Sequence, residues 1–187
     1  MTATARIFPG FLVALTLVAH APLIAQDPPI VAQTPSDEWR RSQPARVTQR
    51  MGSTEMTVVY NRPVARGRDL FGALVPWDSI WNPGADEATR IEVDEDISVE
   101  GQRLAAGRYS IWLIPRADEW TLIFSRVWEV QHRPYPAGNE VLRLGLRPRA
   151  ADHVESLAFY FPVADADSAV LALHWGGTML PISIRRP

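Results

Sequence analysis

The chain has 187 residues, with 19 basic against 21 acidic for a net charge of −2, and no cysteine. Every basic residue is Arg, which excludes a Schiff-base lysine, a phosphate-loop lysine and a lysine general base. The missing cysteines exclude disulfides and a lipobox, and the arginines are scattered with no basic block, so nucleic acid is not an expected partner.

Arg6 precedes an almost wholly apolar run from Ile7 to Ala25, densest in FLVALTLVA. It is short for a membrane span and sits at the extreme N-terminus, so residues 1–25 read as a secretory signal, with cleavage after Ala25. Ala19-His20-Ala21 also has the small-x-small pattern, but Pro22 follows it. Residues 26–42, opening QDPPIVAQTPSDEW, are rich in Pro and polar residues without a sustained period and read as a flexible leader. The remaining residues, 43–187, form one expected domain, long enough to bury a core without staples. The expected location is periplasmic or extracellular, with no integral membrane segment once the signal is removed.

Beyond the leader the pattern has period two and is repeatedly broken by turn residues. Met56 to Asn61, Thr89 to Val93 and Ile97 to Glu100 are short strand candidates rich in β-branched residues. Between the first two, Arg68 to Val75 predicts a short helical turn with Leu70, Phe71 and Leu74 inward, stopped by Pro76. Gly101-Gln102 reads as a hairpin turn leading to a strand from Arg108 to Ile114. EWTLIFS (119–125), EVLRLGL (140–146), SLAFYFP (156–162), AVLALHW (169–175) and MLPISI (179–184) follow. In the second of these, Leu142, Leu144 and Leu146 alternate with Arg143, Gly145 and Arg147, so one face is core and the other wet. Eight to ten such strands predict an all-β fold, an antiparallel β-sandwich or jelly roll, with a closed barrel as the alternative.

Five ordered blocks carry a family resemblance: YNRP at 60–63, GRDLFGALVPW at 67–77, IWNPGADEAT at 80–89, VEGQRLAAGRYSIWLIP at 99–115 and EWTLIF at 119–124. Together they resemble the DUF2911 family of exported bacterial proteins of unknown function, over about Gln43 to Ile184. The resemblance implies an exported, mostly β domain and implies no reaction or cofactor. The family's usual form of one stretch is Trp-Arg-x-Gly-Ala-Asn-Glu-Ala-Thr. Here Asn82 stands for the Arg and Asp86 for the Asn, which removes a cation and adds an anion.

Asp86 and Glu87 follow the Pro83-Gly84 turn, and neighbouring side chains of an extended segment point in opposite directions. A paired-carboxylate hydrolysis would therefore need a partner from elsewhere, such as Asp94 or Glu140. The structural alternative has Asp86 shaping the loop through an Asx-type turn and Glu87 pairing with Arg62, Arg66, Arg68 or Arg90. Of the histidines outside the signal, His132 and His153 fall in loops and His174 in a strand, where it shares a face with Val170 and Ala172. No H-x-H or H-E-x-x-H pair occurs, so no metal site is expected. Trp112, Trp120 and Trp175 fall inside strands and are expected in the core, whereas Trp77, Trp81 and Trp128 lie where a ligand could meet them.

The leading reading is a non-catalytic domain binding a small molecule, glycan or envelope partner. Tyr60 and Trp81 would supply stacking area, Arg62 a bidentate donor, and Asp86, Glu87, Thr89 and His174 polar contacts. The alternative readings are a periplasmic hydrolase or metal-dependent enzyme using Asp86 and Glu87 with His132 or His174, and a structural packing module of the envelope.

Overall fold

A computed structural model describes Thr2 and residues 41–187. The expected signal and most of the expected leader lie outside the described residues. Ten strands follow in order: β1 (Gln43–Met51), β2 (Thr54–Arg62), β3 (Arg90–Val93), β4 (Ile97–Val99), β5 (Gln102–Leu104), β6 (Gly107–Ile114), β7 (Trp120–Ser125), β8 (Glu140–Leu146), β9 (Arg149–Ala164) and β10 (Ser168–Arg185). They make two antiparallel sheets, β1-β2-β3-β6-β7-β8 and β5-β4-β10-β9. The all-β sandwich class expected from the alternating pattern is the one observed.

The inner faces are the period-two residues of each strand. Met56, Val58 and Tyr60 of β2, Ile111 and Leu113 of β6, and Leu142, Leu144 and Leu146 of β8 are all buried against Leu157, Phe159, Leu171, Leu173 and Trp175 of the other sheet. The residues that β10 gives to the main core are odd-numbered from Ala169 to Trp175 and even-numbered from Leu180 to Ile184. The phase change falls at Gly176, whose φ of 58° coincides with a register shift against β9. An extra residue in left-handed conformation turns the following side chains to the other face, which is how one long strand keeps its apolar residues inward throughout. That bulge is why the sequence reads as two strands where the structure has one. A second, small apolar group of Ala88, Trp112 and Ile123 lies apart from the main core, with Val130 and Tyr135 packed on it.

Two local expectations shift. The hairpin turn after β4 sits at Glu100-Gly101, with φ of 49° and 83°, one residue earlier than the pattern suggests. Residues 68–75 make turns instead of helix: Val75 N–H reaches back to Leu70 O (2.8 Å) and Gly72 N–H to Val75 O (2.8 Å). The strand β1 has no counterpart among the sequence candidates, because its inward row of Ala45, Val47 and Gln49 is only half-buried and weakly apolar.

After β2 the chain changes sheets. Leu157 N–H donates to Pro63 O (2.9 Å) and Ala65 N–H to Glu155 O (2.7 Å), so residues 63–65 cover the outer edge of β9. The connection from there to β3 far exceeds the ordinary length of about 4–6 residues. Its aromatic residues pack at one end of the sandwich: Phe71 contacts Trp81, Trp120 and Trp175, and Trp81 stacks on Trp175 with centroids 6.0 Å apart and planes 16° apart.

Candidate functional site

The stretch Trp81 to Thr89 ends that connection, and its inner side is stitched to β6. Trp81 exchanges two backbone hydrogen bonds with Leu113 (2.7 and 2.8 Å), and Ile111 N–H donates to Thr89 O (2.9 Å). Between these anchors Asn82 is 1% exposed. Its Nδ2 donates to Ile111 O (2.8 Å), while its Oδ1 accepts from Thr89 N (3.0 Å). The Thr89 hydroxyl donates to Pro83 O (2.9 Å). Gly84 is pressed so closely into this knot that a Cβ there would lie 2.5 Å from Thr89 Oγ1.

The outer side is held by the segment after β7. Ala88 N–H donates to Val130 O, and the Asp86 carbonyl accepts from His132 N–H, each at 2.8 Å. His132 Nδ1 lies 2.9 Å from that same carbonyl. A carbonyl only accepts, so Nδ1 carries the proton and Nε2 keeps the lone pair in the neutral ring. From β2, Asn61 Nδ2 reaches both Ala85 O (2.8 Å) and Glu87 Oε2 (3.0 Å). Asp86 itself has φ 58°, the left-handed region that Asn and Asp tolerate best among residues with a Cβ. This conformation suits both the Asp found here and the Asn of the pattern it resembles.

The residues singled out from sequence therefore occupy three separate places. Trp81, Asp86, Glu87 and Thr89 share the stitched loop. Tyr60 and Arg62 join the two sheets: the Tyr60 ring is 6% exposed and meets Phe159 edge-on at 5.0 Å. Its hydroxyl accepts from Phe159 N (3.0 Å), and Arg62 Nε donates to Leu157 O (3.0 Å). His174 stands on β10 away from the loop, 8% exposed, with Nε2 at 2.8 Å from Asp152 O and Nδ1 at 3.4 Å from the Tyr160 hydroxyl. Trp112, Trp120 and Trp175 are buried, Trp77 is exposed, and Trp128 has Arg90 and Arg108 over its ring at 5.5 and 5.0 Å. Among the described residues, no cluster of three His, Asp or Glu side chains has metal-binding geometry.

Beside the stitched loop opens a cleft of about 270 Å³. Trp81 and Gly84 form part of its wall, and Arg41, Arg66, Arg68 and Arg133 bring charge to it together with His132. Arg68 is set in place by its own turn, donating from Nε to Ala65 O and from Nη2 to Val64 O, both at 2.8 Å. Glu155 lies near by and is already engaged: hydrogen bonds from His153 and then the Arg66 backbone N–H hold its carboxyl below the usual carboxylate range. Sequence reasoning missed this convergence because the four arginines belong to three distant segments. It also missed Asn61 and Asn82, whose only signal is a polar residue at the end of an apolar strand and at the start of a turn.

The fold and the site define an antiparallel β-sandwich with a basic, tryptophan-walled cleft beside a tightly hydrogen-bonded loop. A family model described as "protein of unknown function (DUF2911)" matches residues 42–184, and the chain belongs to that family. Neither a comparison with curated proteins nor one with solved structures found a match.

Proposed function

We propose that the chain is an exported, non-catalytic binding protein, in which residues 1–25 direct export, 26–42 form a leader and 43–187 carry the ligand site. The cleft beside Trp81 takes a small molecule or a glycan end, and Trp81 supplies the flat apolar wall on which a ring can stack. The observation that carries this reading is the separation of tasks within one loop. Asn82, Thr89 and Gly84 fix its inner side, while Trp81 stands half-buried on the cleft wall, so the wall is preorganised before any ligand arrives. Glu87 is held by Asn61 within the loop, Tyr60 and Arg62 tie the two sheets together, and His174 is buried on β10 away from the cleft.

Two measurements test it. Cell fractionation of the tagged chain should place the protein outside the cytoplasm, and retention in the cytoplasm would remove the export half. A thermal-shift screen of neutral and charged small molecules and sugars against native protein and Trp81→Ala should give at least one compound that raises the native midpoint and fails with the variant. Equal stabilisation of both proteins would place binding elsewhere. Among the described residues no helix is long and apolar enough to cross a membrane.

A further inference from the structure

We infer that the ligand of this cleft is a small organic anion: a single ring, sugar-like or aromatic, bearing a carboxylate, sulfate or phosphate. The inference rests on the binding reading above and specifies the chemistry of its ligand. Four guanidinium groups and one imidazole border the space, and among the described residues no Asp or Glu lines it. Nor is any of the four arginines joined to a carboxylate in an ion pair among the described residues.

Elsewhere Arg50 has Glu55 beside it, Arg103 has Asp96, Arg116 has Asp78 and Arg143 has Glu140, whereas the cleft gathers four arginines with no such acid among the described residues. A cluster of like charges around one concave space raises its own electrostatic energy, and an anion in the space relieves it. Arg presents a planar fork of donors matched to oxyanions. Arg68 spends two of its N–H groups on Ala65 O and Val64 O, which orients the rest without neutralising the charge. His132 donates from Nδ1 to the Asp86 carbonyl, so its Nε2 accepts a ligand hydroxyl when neutral and becomes a further donor when protonated. The volume of about 270 Å³ lies at the small end of ligand sites, and the half-buried Trp81, stacked on the buried Trp175, provides the apolar wall for one ring. A long polyanion, or a nucleic acid strand, finds no continuing basic track in the sequence.

The test is calorimetric titration of the purified protein with glucuronate, glucose 6-phosphate and neutral glucose, repeated at rising sodium chloride. Both anions, or one of them, should bind more tightly than glucose and weaken with salt, as charge attraction through water requires. Arg66→Glu and Arg133→Glu should each weaken the anion roughly tenfold or more, with Arg46→Glu on β1 as the control that leaves it unchanged. Both test positions are exposed, and the melting midpoint reports whether the variants still fold. If glucose binds as well as the anions and Trp81→Ala abolishes both, the cleft is a binding site for neutral rings and the anion inference fails alone. Anion binding that survives both charge reversals lies elsewhere and also overturns it. If no compound binds, charged or neutral, the inference falls together with the reading it rests on. Preference for the phosphate over the carboxylate, or the reverse, identifies which oxyanion the site takes.

Discussion

Asn82→Ala tests whether the loop is held as described. Asn82 is 1% exposed and joins a carbonyl inside β6 to the N–H just before β3, neither of which has solvent to replace it. Truncation leaves the Ile111 carbonyl without its 2.8 Å donor and the Thr89 N–H without its 3.0 Å acceptor. Each orphaned buried group costs about 1–3 kcal/mol, and a small void adds to that, so the variant should lose about 3–5 kcal/mol. For a chain of this size the midpoint should fall by about 10 °C or more. Urea unfolding should show the midpoint concentration falling with the slope unchanged, which marks a loss of native-state interactions and not of compactness. Asn82→Asp adds a second handle. It keeps an acceptor for Thr89 N–H but faces the Ile111 carbonyl with an anion, so its folded pKa must be raised. A raised carboxyl pKa costs stability above the unfolded value of about 3.9 and recovers it below, so the gap to the native protein should narrow as pH falls toward 4. A loss below about 1 kcal/mol for Asn82→Ala would refute the view that this side chain anchors the loop.

Two further outcomes follow from the same bonds. Tyr60→Phe keeps the edge-on contact with Phe159 but removes the acceptor of Phe159 N–H, so it should lose about 1–2 kcal/mol without changing ligand affinity. A variant that folds as stably as the native protein but no longer binds would make the Tyr60 hydroxyl a ligand contact instead. On the acid side, Arg143 and then Tyr135 hold the Glu140 carboxyl below its usual range, and the Ala106 N–H and then Arg103 do the same for Asp96. Groups whose folded pKa is lowered stabilise the fold above their unfolded values and lose that effect as pH falls through the folded ones. Stability should therefore be level from about pH 6 to 8 and drop below about pH 4, and Glu140→Gln should shrink the drop. A rise in stability between pH 5 and 3 would contradict those interactions.

The strands were legible where one face meets the core and the other meets water. Leu142, Leu144 and Leu146 announce β8 because burial and alternation coincide there. The same rule fails at β1, an edge strand whose inward side chains are only half-covered, and at Gly176, where a bulge breaks the alternation inside one strand. The site was less legible for a geometric reason. The alternative that made Asp86 and Glu87 a chemical pair followed from their charge, yet the loop is organised by the backbone carbonyls of Ala85 and Asp86 and by the neutral side chains of Asn61 and Asn82. In sequence, Asn82 stands only as a lost cation; in space it is the anchor between β6 and Thr89. The arginines of the cleft, at 41, 66, 68 and 133, look dispersed along the chain and become neighbours only when the connection after β2 and the segment after β7 fold against the same loop.

This arrangement separates what holds the loop from what faces the cleft. The inner row of Asn82, Thr89 and Gly84 is satisfied by protein groups within hydrogen-bonding or van der Waals distance, so substitutions at Asn82 and Thr89 act on stability and reach the ligand only through misplacement of the cleft wall formed by Trp81 and Gly84. Arg66 and Arg133 are exposed and contribute little that the fold needs, so their loss should alter binding while leaving the midpoint nearly unchanged, whereas Trp81 also packs against Phe71 and Trp175, so its truncation should lower the midpoint as well. His132 stands between the two sets, since one nitrogen is tied to the Asp86 carbonyl and the ring also borders the cleft. Protonating it keeps the Nδ1 bond, because that nitrogen already donates, and changes only Nε2 from acceptor to donor. The charge state of His132 therefore reaches a bound anion without disturbing the loop: a protonated ring adds a donor and a positive charge to the cleft while the loop's own hydrogen bonds stay intact.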